Sequence, residues 1–465
     1  MKYILFIALL LFSTHLVISQ NTQSEIDGGE HGYVPEQSEC LNEQQRQLII
    51  QQLKSQSLLL KSEGRLAFSE ENRGTNPLFI WPVQKKQGLE YNSVWSISNY
   101  VDHNPTSPNA LLDYNCGSRT YDTSSGYDHQ GLDIFTWPFS WKQMDNDDAE
   151  IIAAAAGQII AKSDGNFDRS CDFSTITPWN AIYIQHSDGS VAWYGHMKNG
   201  SLTTKNVGDT VVVGEYLGIV GSSGVSTGPH LHFEVWQDGT YTQLIDPYVG
   251  ACNSLNSVSW WNSQKPYTNP GINAVLTHSA NVDFNNCPNS ETTNESDNFM
   301  LNDMAYFYIY LRDQYIGSMF NVKIIRPDGS YLLDADYTST NDYYASYWWW
   351  SRVVDMEGIW QWQATYEGET VIHSFSVGAL SIDDEELQEL SVYPNPFSDT
   401  ISINSSTIIH SVTIFDFTGK SVVLFEKKSP EGIRELDLST LSQGIYFADI
   451  KGDNKEQKVI KLLKK

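Results

Sequence analysis

The stretch GPHLHFEVW, residues 228–236, sets two imidazoles two positions apart in a run that reads as a β-strand. Successive strand side chains point to opposite faces, so His230, His232, Glu234 and Trp236 share one face and Leu231, Phe233 and Val235 the other. The apolar trio faces a core while both imidazoles project into one space. Imidazole is a common metal ligand and also a base whose pKa lies near neutrality. A catalytic zinc takes three protein ligands from His and Asp/Glu and keeps one position for water, so the doublet needs partners elsewhere. Upstream, YDHQGLDIF places His129 and Asp133 four residues apart in a glycine-containing loop entering a strand, where one turn can bring both side chains to a single ion. Between the two stretches, WYGHM carries His196. Glu234 shares the doublet's face and is an alternative proton acceptor. Tyr127 and Tyr194 are candidates to face a developing oxyanion, whereas Asn180 reads as structural.

These residues need a scaffold, and residues 76–252 describe one. EIIAAAAGQIIAK, NAIYIQHSDGSVAWYGHM, TVVVGEYLGIVG and PHLHFEVWQDG are strand candidates separated by glycine turns, and the pair flanking SDG reads as a β-hairpin. No segment here has a long helical period. The expectation is a compact, mostly antiparallel β domain, with the glycine-rich turn GSSGVSTG leading directly into the doublet.

Taken together, HQGLD, YGHM and TGPHLHFEV resemble the three signature blocks of the lysostaphin/LytM-type zinc metalloendopeptidases, which cleave peptidoglycan peptides. AAAAGQII, NAIYIQHSDG, VGDTVVVGEYLGIVGSSG and LIDPY extend the resemblance over roughly residues 76–250. It implies one Zn²⁺ per chain, held by His129, Asp133 and His232, with His230 as general base and His196 holding the water or stabilising the oxyanion. Two neutral imidazoles and one carboxylate leave such an ion net positive, which acidifies a water beside it. The resemblance implies hydrolysis of stem peptides or cross-bridges in peptidoglycan. Two further readings stand beside it: an exported endopeptidase for glycine-rich extracellular proteins, and a surface binding or regulatory protein whose site is not used.

The remaining sequence addresses location and attachments. Lys2 followed by YILFIALLLF and STHLVISQ is a signal-peptide pattern over residues 1–20; no other stretch is apolar enough to span a membrane. Residues 21–75 contain a loosely amphipathic helix ending near Gly64, either a packing helix or a pro-segment over the active site. Residues 270–380 alternate as in an immunoglobulin-like β-sandwich, and YYASYWWW at 343–350 is either core or an exposed stacking platform. Residues 388–465 read as a small β-sandwich. Tyr393-Pro394-Asn395-Pro396, Asp416 with Gly419-Lys420, Gly444-Ile445-Tyr446 and the terminal lysines resemble the C-terminal sorting domain of the type IX secretion system. That resemblance implies the secretion machinery as a partner and a secreted or cell-surface location.

The whole chain is thus expected to be all-β apart from the helical N-terminal segment. In an exported chain the five cysteines are expected to form two disulfides, Cys116–Cys171 and Cys252–Cys287, leaving Cys40 over. A formal net charge of −27, concentrated before residue 386, argues against nucleic acid or anionic lipid as the main partner.

Overall fold

Period-two alternation in the segments after residue 76 builds one large antiparallel sheet. In the computed structural model, which describes residues 28–33, 41, 43–68, 74–172, 177–378, 390–405, 407–416, 420–426, 432–452 and 457–465, its strands run in a fixed spatial order. They are Trp95–Asn99, Leu132–Thr136, His230–Trp236, Val191–Gly195, Ala181–Gln185, Gly157–Ser163 and Thr210–Val211, with Leu244–Ile245 paired to the end of His230–Trp236. The SDG hairpin forms as read: Gln185 pairs with Val191, and Gly189 takes φ +93° in the turn.

One face of this sheet presents Ile182, Ile184, Ala192, Leu231, Phe233 and Val235 to the main core. A second sheet, Tyr216–Ile219, Ala149–Ile152 and Val83–Lys85, contributes Ile151, Ala149 and Leu217 to that core. Each fully buried branched or aromatic side chain contributes about 1.5–3 kcal/mol relative to exposure. The opposite face carries Tyr183, Trp193 and Trp236, and the Glu43–Ser62 helix lies on it through Ile50, Leu53 and Leu60. The helix ends at Gly64, whose φ of +67° suits a residue without a Cβ. The helix meets strand side chains beside the histidine doublet, Trp193, Glu234 and Trp236 among them.

Residues 76–252 also contain a short helix, Ser140–Asp145, which the sequence pattern does not announce because six residues are too few to display a period. The expected disulfides are corrected. Cys116 pairs with Cys252 and Cys171 with Cys287, with Cα separations of 5.1 and 5.7 Å. The chain after Tyr248 returns beside residue 114, where the Cys252 amide donates to the Tyr114 carbonyl, and this return brings sequence-distant cysteines together. Cys40 and residues 1–20 lie outside the described residues.

Beyond residue 270 two sheets face each other. Gly271–His278, Met304–Gln314, Tyr343–Val353 and Gly28–Tyr33 form one; Asn298–Phe299, Met319–Ile325, Tyr331–Thr338, Gly358–Tyr366 and Glu369–Val377 form the other. Trp348 and Trp350 point into this sandwich, where Trp350 meets Trp362 edge-on. Tyr347 and Trp349 point the other way and pack against the main core. Trp348 and Trp350 are therefore core, while Tyr347 and Trp349 are half-buried on the other face. Trp137 and Phe139 meet Tyr310 at ring distances of 5.9 and 5.0 Å, so the sandwich shares the core beneath the large sheet.

Residues from Val377 onward form a second compact unit. Ser391–Tyr393, Thr400–Asn404 and Glu435–Asp437 make one small sheet; Ser421–Glu426, Ile409–Asp416, Gly444–Gly452 and Gln457–Lys464 make the other. Ile401, Val412, Ile414, Ala448 and Leu462 fill the core between them. Asn395 ties the Tyr-Pro-Asn-Pro turn to the last strand, donating to the Lys461 carbonyl and accepting from the Leu463 amide.

Candidate metal and catalytic site

The five side chains singled out by residue type converge at the meeting of three strands. His232 pairs directly with Asp133 on one side and with Gly195 on the other. Asp133 therefore projects on the same face as His232, and its Oδ1 lies 2.9 Å from His232 Nδ1. His129 enters from the loop before the Leu132–Thr136 strand and sets Nε2 3.1 Å from Asp133 Oδ2. One donor atom from each of His129, Asp133 and His232 lies within 4.8 Å of the others, and all three residues are buried.

Simple alternation would send His196, the residue after Gly195, to the opposite face. The backbone reverses this by taking φ +60° at His196. The left-handed region costs a non-glycine residue about 1 kcal/mol or more, and such strain persists where the surroundings impose it. The His196 ring consequently lies 4.3 Å, centroid to centroid, from His230. His230 Nε2 is in turn 3.8 Å from Asp133 Oδ1.

Backbone and carboxylate oxygens select the tautomer of each imidazole, since a carbonyl can only accept. His129 Nδ1–H donates to the Tyr100 carbonyl at 2.7 Å, which leaves Nε2 as the lone-pair atom facing Asp133. His232 is oriented oppositely: its Nε2–H donates to Glu234 Oε2 at 3.0 Å, leaving the Nδ1 lone pair toward Asp133. His196 Nδ1–H donates to the Ser223 carbonyl at 2.6 Å and His230 Nδ1–H to the Gly228 carbonyl at 2.9 Å. Both of these present Nε2 as the basic atom.

The donor set fits a divalent cation. Two imidazole lone pairs and a carboxylate converge, an arrangement that is repulsive until a positive charge lies among them. Space is kept open by Gly131, where an added Cβ would come within 2.4 Å of the His232 ring. Burial alone would raise the Asp133 carboxyl; positive charge on the surrounding imidazoles, His129 foremost, holds it well below its ordinary value, and a bound cation would act in the same sense. Asn99 Nδ2 adds a hydrogen bond to Asp133 Oδ2 at 3.2 Å, and Tyr121 stacks on His129 at 4.4 Å.

Behind His232 lies a group that motif reading missed. Arg46, on the Glu43–Ser62 helix, places Nη1 2.5 Å from Glu234 Oε1, with both side chains buried. Trp236 Nε1 also donates to this oxygen. Burial raises the Glu234 carboxyl, yet Arg46 and His232 together hold it below the usual carboxylate range. Glu234 is thus committed to three donors and faces His232 from behind, an arrangement unlike that of a proton acceptor open to substrate. Arg46 is 188 residues away in sequence, and no local signal announces it.

Of the residues suggested to face an oxyanion, Tyr194 finds no support in the geometry. The Tyr194 hydroxyl accepts the Ala154 amide inside the main core, away from the histidines. Asn180 bridges the Asn166 and Met197 carbonyls, as a structural residue does.

Residues 128–246 match the model of Peptidase family M23, and residues 391–465 match that of the secretion system C-terminal sorting domain. A DD-carboxypeptidase/endopeptidase Mpg of Neisseria meningitidis serogroup B is 43% identical over 68 residues, 15% of this chain and 14% of that protein. An uncharacterized metalloprotease of Buchnera aphidicola is 32% identical over 125 residues, 27% of each chain. The chain therefore spans at most 27% of the length of these two curated relatives. The solved catalytic domain of lysostaphin from Staphylococcus simulans is 26% identical, covering 28% of this chain and 83% of that one, with a TM-score of 0.20. Residues 128–246, which hold all five convergent side chains, are a Peptidase family M23 domain, and residues 391–465 are a secretion system C-terminal sorting domain.

Proposed function

We propose that the protein is an exported zinc metalloendopeptidase that hydrolyses peptide bonds in peptidoglycan stem peptides or cross-bridges. The observation that carries this reading is the convergence of His129, Asp133 and His232 beside two further imidazoles, His230 with Nε2 3.8 Å from Asp133 Oδ1 and His196 with its ring centroid 4.3 Å from that of His230. Three protein ligands leave one position of a tetrahedral ion open for water, and the additional imidazoles at its edge supply proton acceptors for that water. The sorting domain at residues 391–465 supports export, and the expected signal peptide adds to it.

His129 Nε2, Asp133 and His232 Nδ1 would hold Zn²⁺, which when bound supplies Lewis acidity toward the scissile carbonyl and lowers the pKa of an attacking water. His230 Nε2, unprotonated in the tautomer that the Gly228 carbonyl imposes, takes the proton of that water as it attacks. It then passes the proton to the leaving amine. His196 Nε2 is likewise unprotonated while its ring is neutral and orients the water by accepting its second hydrogen. In a molecule whose His196 ring already carries a proton, the same nitrogen would instead donate to the oxyanion. Glu234, bound by Arg46 and Trp236, keeps the Nε2–H tautomer of His232 and so directs its Nδ1 toward the metal.

The relative from Neisseria meningitidis, named for carboxypeptidase and endopeptidase activity, supports a peptidase reading. The test is a paired measurement of metal content and peptide hydrolysis. His232→Ala and Asp133→Ala should lose both zinc and activity. His230→Ala should keep zinc and lose about 10²–10⁴-fold in rate. Loss of zinc with His230→Ala would reverse the assignment of roles within the doublet.

A further inference from the structure

Three carboxylates meet in the loops that lead into the histidine cluster, apart from its own Asp133. Asp102 lies just past the Trp95–Asn99 strand, while Asp122 and Asp128 pair as an isolated antiparallel bridge at the base of a tight turn. One oxygen from each lies within 4.8 Å of the other two. Asp102 is only 8% exposed, and its Oδ2 is buried with no hydrogen-bond partner. Asp128 Oδ1 is buried and unpartnered as well.

The contacts these groups do make are with backbone amides. Asp102 Oδ1 accepts from the Asn104 and Leu112 amides; Asp122 accepts from those of Asn109 and Ala110. Among the described residues no Lys, Arg or His side chain forms an ion pair with any of the three. Three like charges this close, two of them offering buried oxygens to nothing, are unfavourable unless a cation or shared protons lie between them.

We propose that Asp102, Asp122 and Asp128 form a second cation site, one that binds Ca²⁺. All the donors are oxygens, without His or Cys, which suits a hard cation rather than a second zinc. Ca²⁺ accepts six to eight oxygens in irregular geometry and can complete its shell from loop carbonyls and water, whereas Mg²⁺ demands a near-ideal octahedron. The placement gives the site a purpose. Asp128 immediately precedes His129, and the Asp102 amide donates to the His129 carbonyl at 2.8 Å. A cation joining these carboxylates clamps the loop that delivers His129 to the first cluster. The inference stands independently of what the enzyme cleaves.

The test uses the full-length protein with zinc bound and follows thermal unfolding while CaCl₂ is added to millimolar concentration. Terbium emission sensitised by tyrosine provides a local readout, since Tyr121 and Tyr127 adjoin the ligands in sequence. For occupancy well above Kd the Tm should rise by about 3 °C or more, and MgCl₂ at the same concentration should do much less. Asp122→Asn and Asp128→Asn, made separately at half-buried positions, should each abolish both the shift and the terbium signal. A Tm indifferent to CaCl₂, or terbium emission equal in wild type and both variants, would overturn the proposal. So would variants more stable than the wild type whatever the calcium concentration, because that result identifies shared protons as the native solution. An equal shift with MgCl₂ would overturn the choice of calcium.

Discussion

Asp133 and His232 are directly opposed across one antiparallel strand pair, with Oδ1 and Nδ1 2.9 Å apart. The sheet register itself therefore sets the spacing of two candidate metal donors, and only His129 has to be delivered by a loop. Register slips in a sheet move every side chain to the opposite face, so a metal site built across a strand pair is lost completely or kept.

This opposition makes Gly131 a sensitive position. A Cβ there would come within 2.4 Å of the His232 ring, and the ring cannot yield without leaving Asp133. Gly131→Ala is expected to lower zinc affinity by at least about 10-fold. Metal competition with a chromophoric chelator would measure it. Affinity equal to wild type would mean that the ring is not fixed as described.

Arg46 ties the N-terminal helix to the site through Glu234. Removing the guanidinium leaves a buried carboxylate unpaired, and Arg46→Ala should cost about 3–5 kcal/mol by denaturant unfolding. Pairing it with Glu234→Gln should recover a large part of that loss, because no buried charge then remains. Zinc affinity should stay reduced in the double variant, since a Gln accepts the His232 Nε2–H more weakly than a carboxylate. Additive stability losses would contradict a direct Arg46–Glu234 interaction.

Stability should fall on acidification through a group remote from the catalytic centre. His278 sits beside Phe139 and Tyr308, where burial pushes its pKa from 6.5 down to about 4. The unfolded chain therefore binds a proton below pH 6.5 that the folded chain refuses until about pH 4. This contribution is complete above pH 6.5 and is lost as pH falls toward 4, by about 3 kcal/mol. Buried His186 is shifted in the same direction. Urea unfolding across this range should show a slope that flattens in His278→Gln; an unchanged slope would contradict it.

The site was largely legible in the sequence because its key distances are local. The doublet at i and i+2 is placed on one face by the strand pleat alone, and the SDG turn announces the hairpin that carries His196. The helix of residues 43–62 was readable from its apolar spacing and from Gly64. What escaped depends on contacts between distant segments. The disulfide partners follow from how the chain returns beside Tyr114, and Arg46 meets Glu234 only after the helix docks. The left-handed backbone at His196 has no residue-type signature, since the region favours Gly or Asn and here holds a histidine. The three aspartates at 102, 122 and 128 likewise lie in separate turns until the loops fold.

The most direct test of the account is hydrolysis of purified peptidoglycan by the zinc-loaded protein with the Glu43–Ser62 helix retained. Elastin and casein serve as parallel substrates, a chelator as control, and mass spectrometry as the readout. The account predicts chelator-sensitive release of muropeptides whose masses identify a cleaved stem or cross-bridge bond. Cleavage of the two proteins alone, or no cleavage of any substrate with zinc bound, would contradict it.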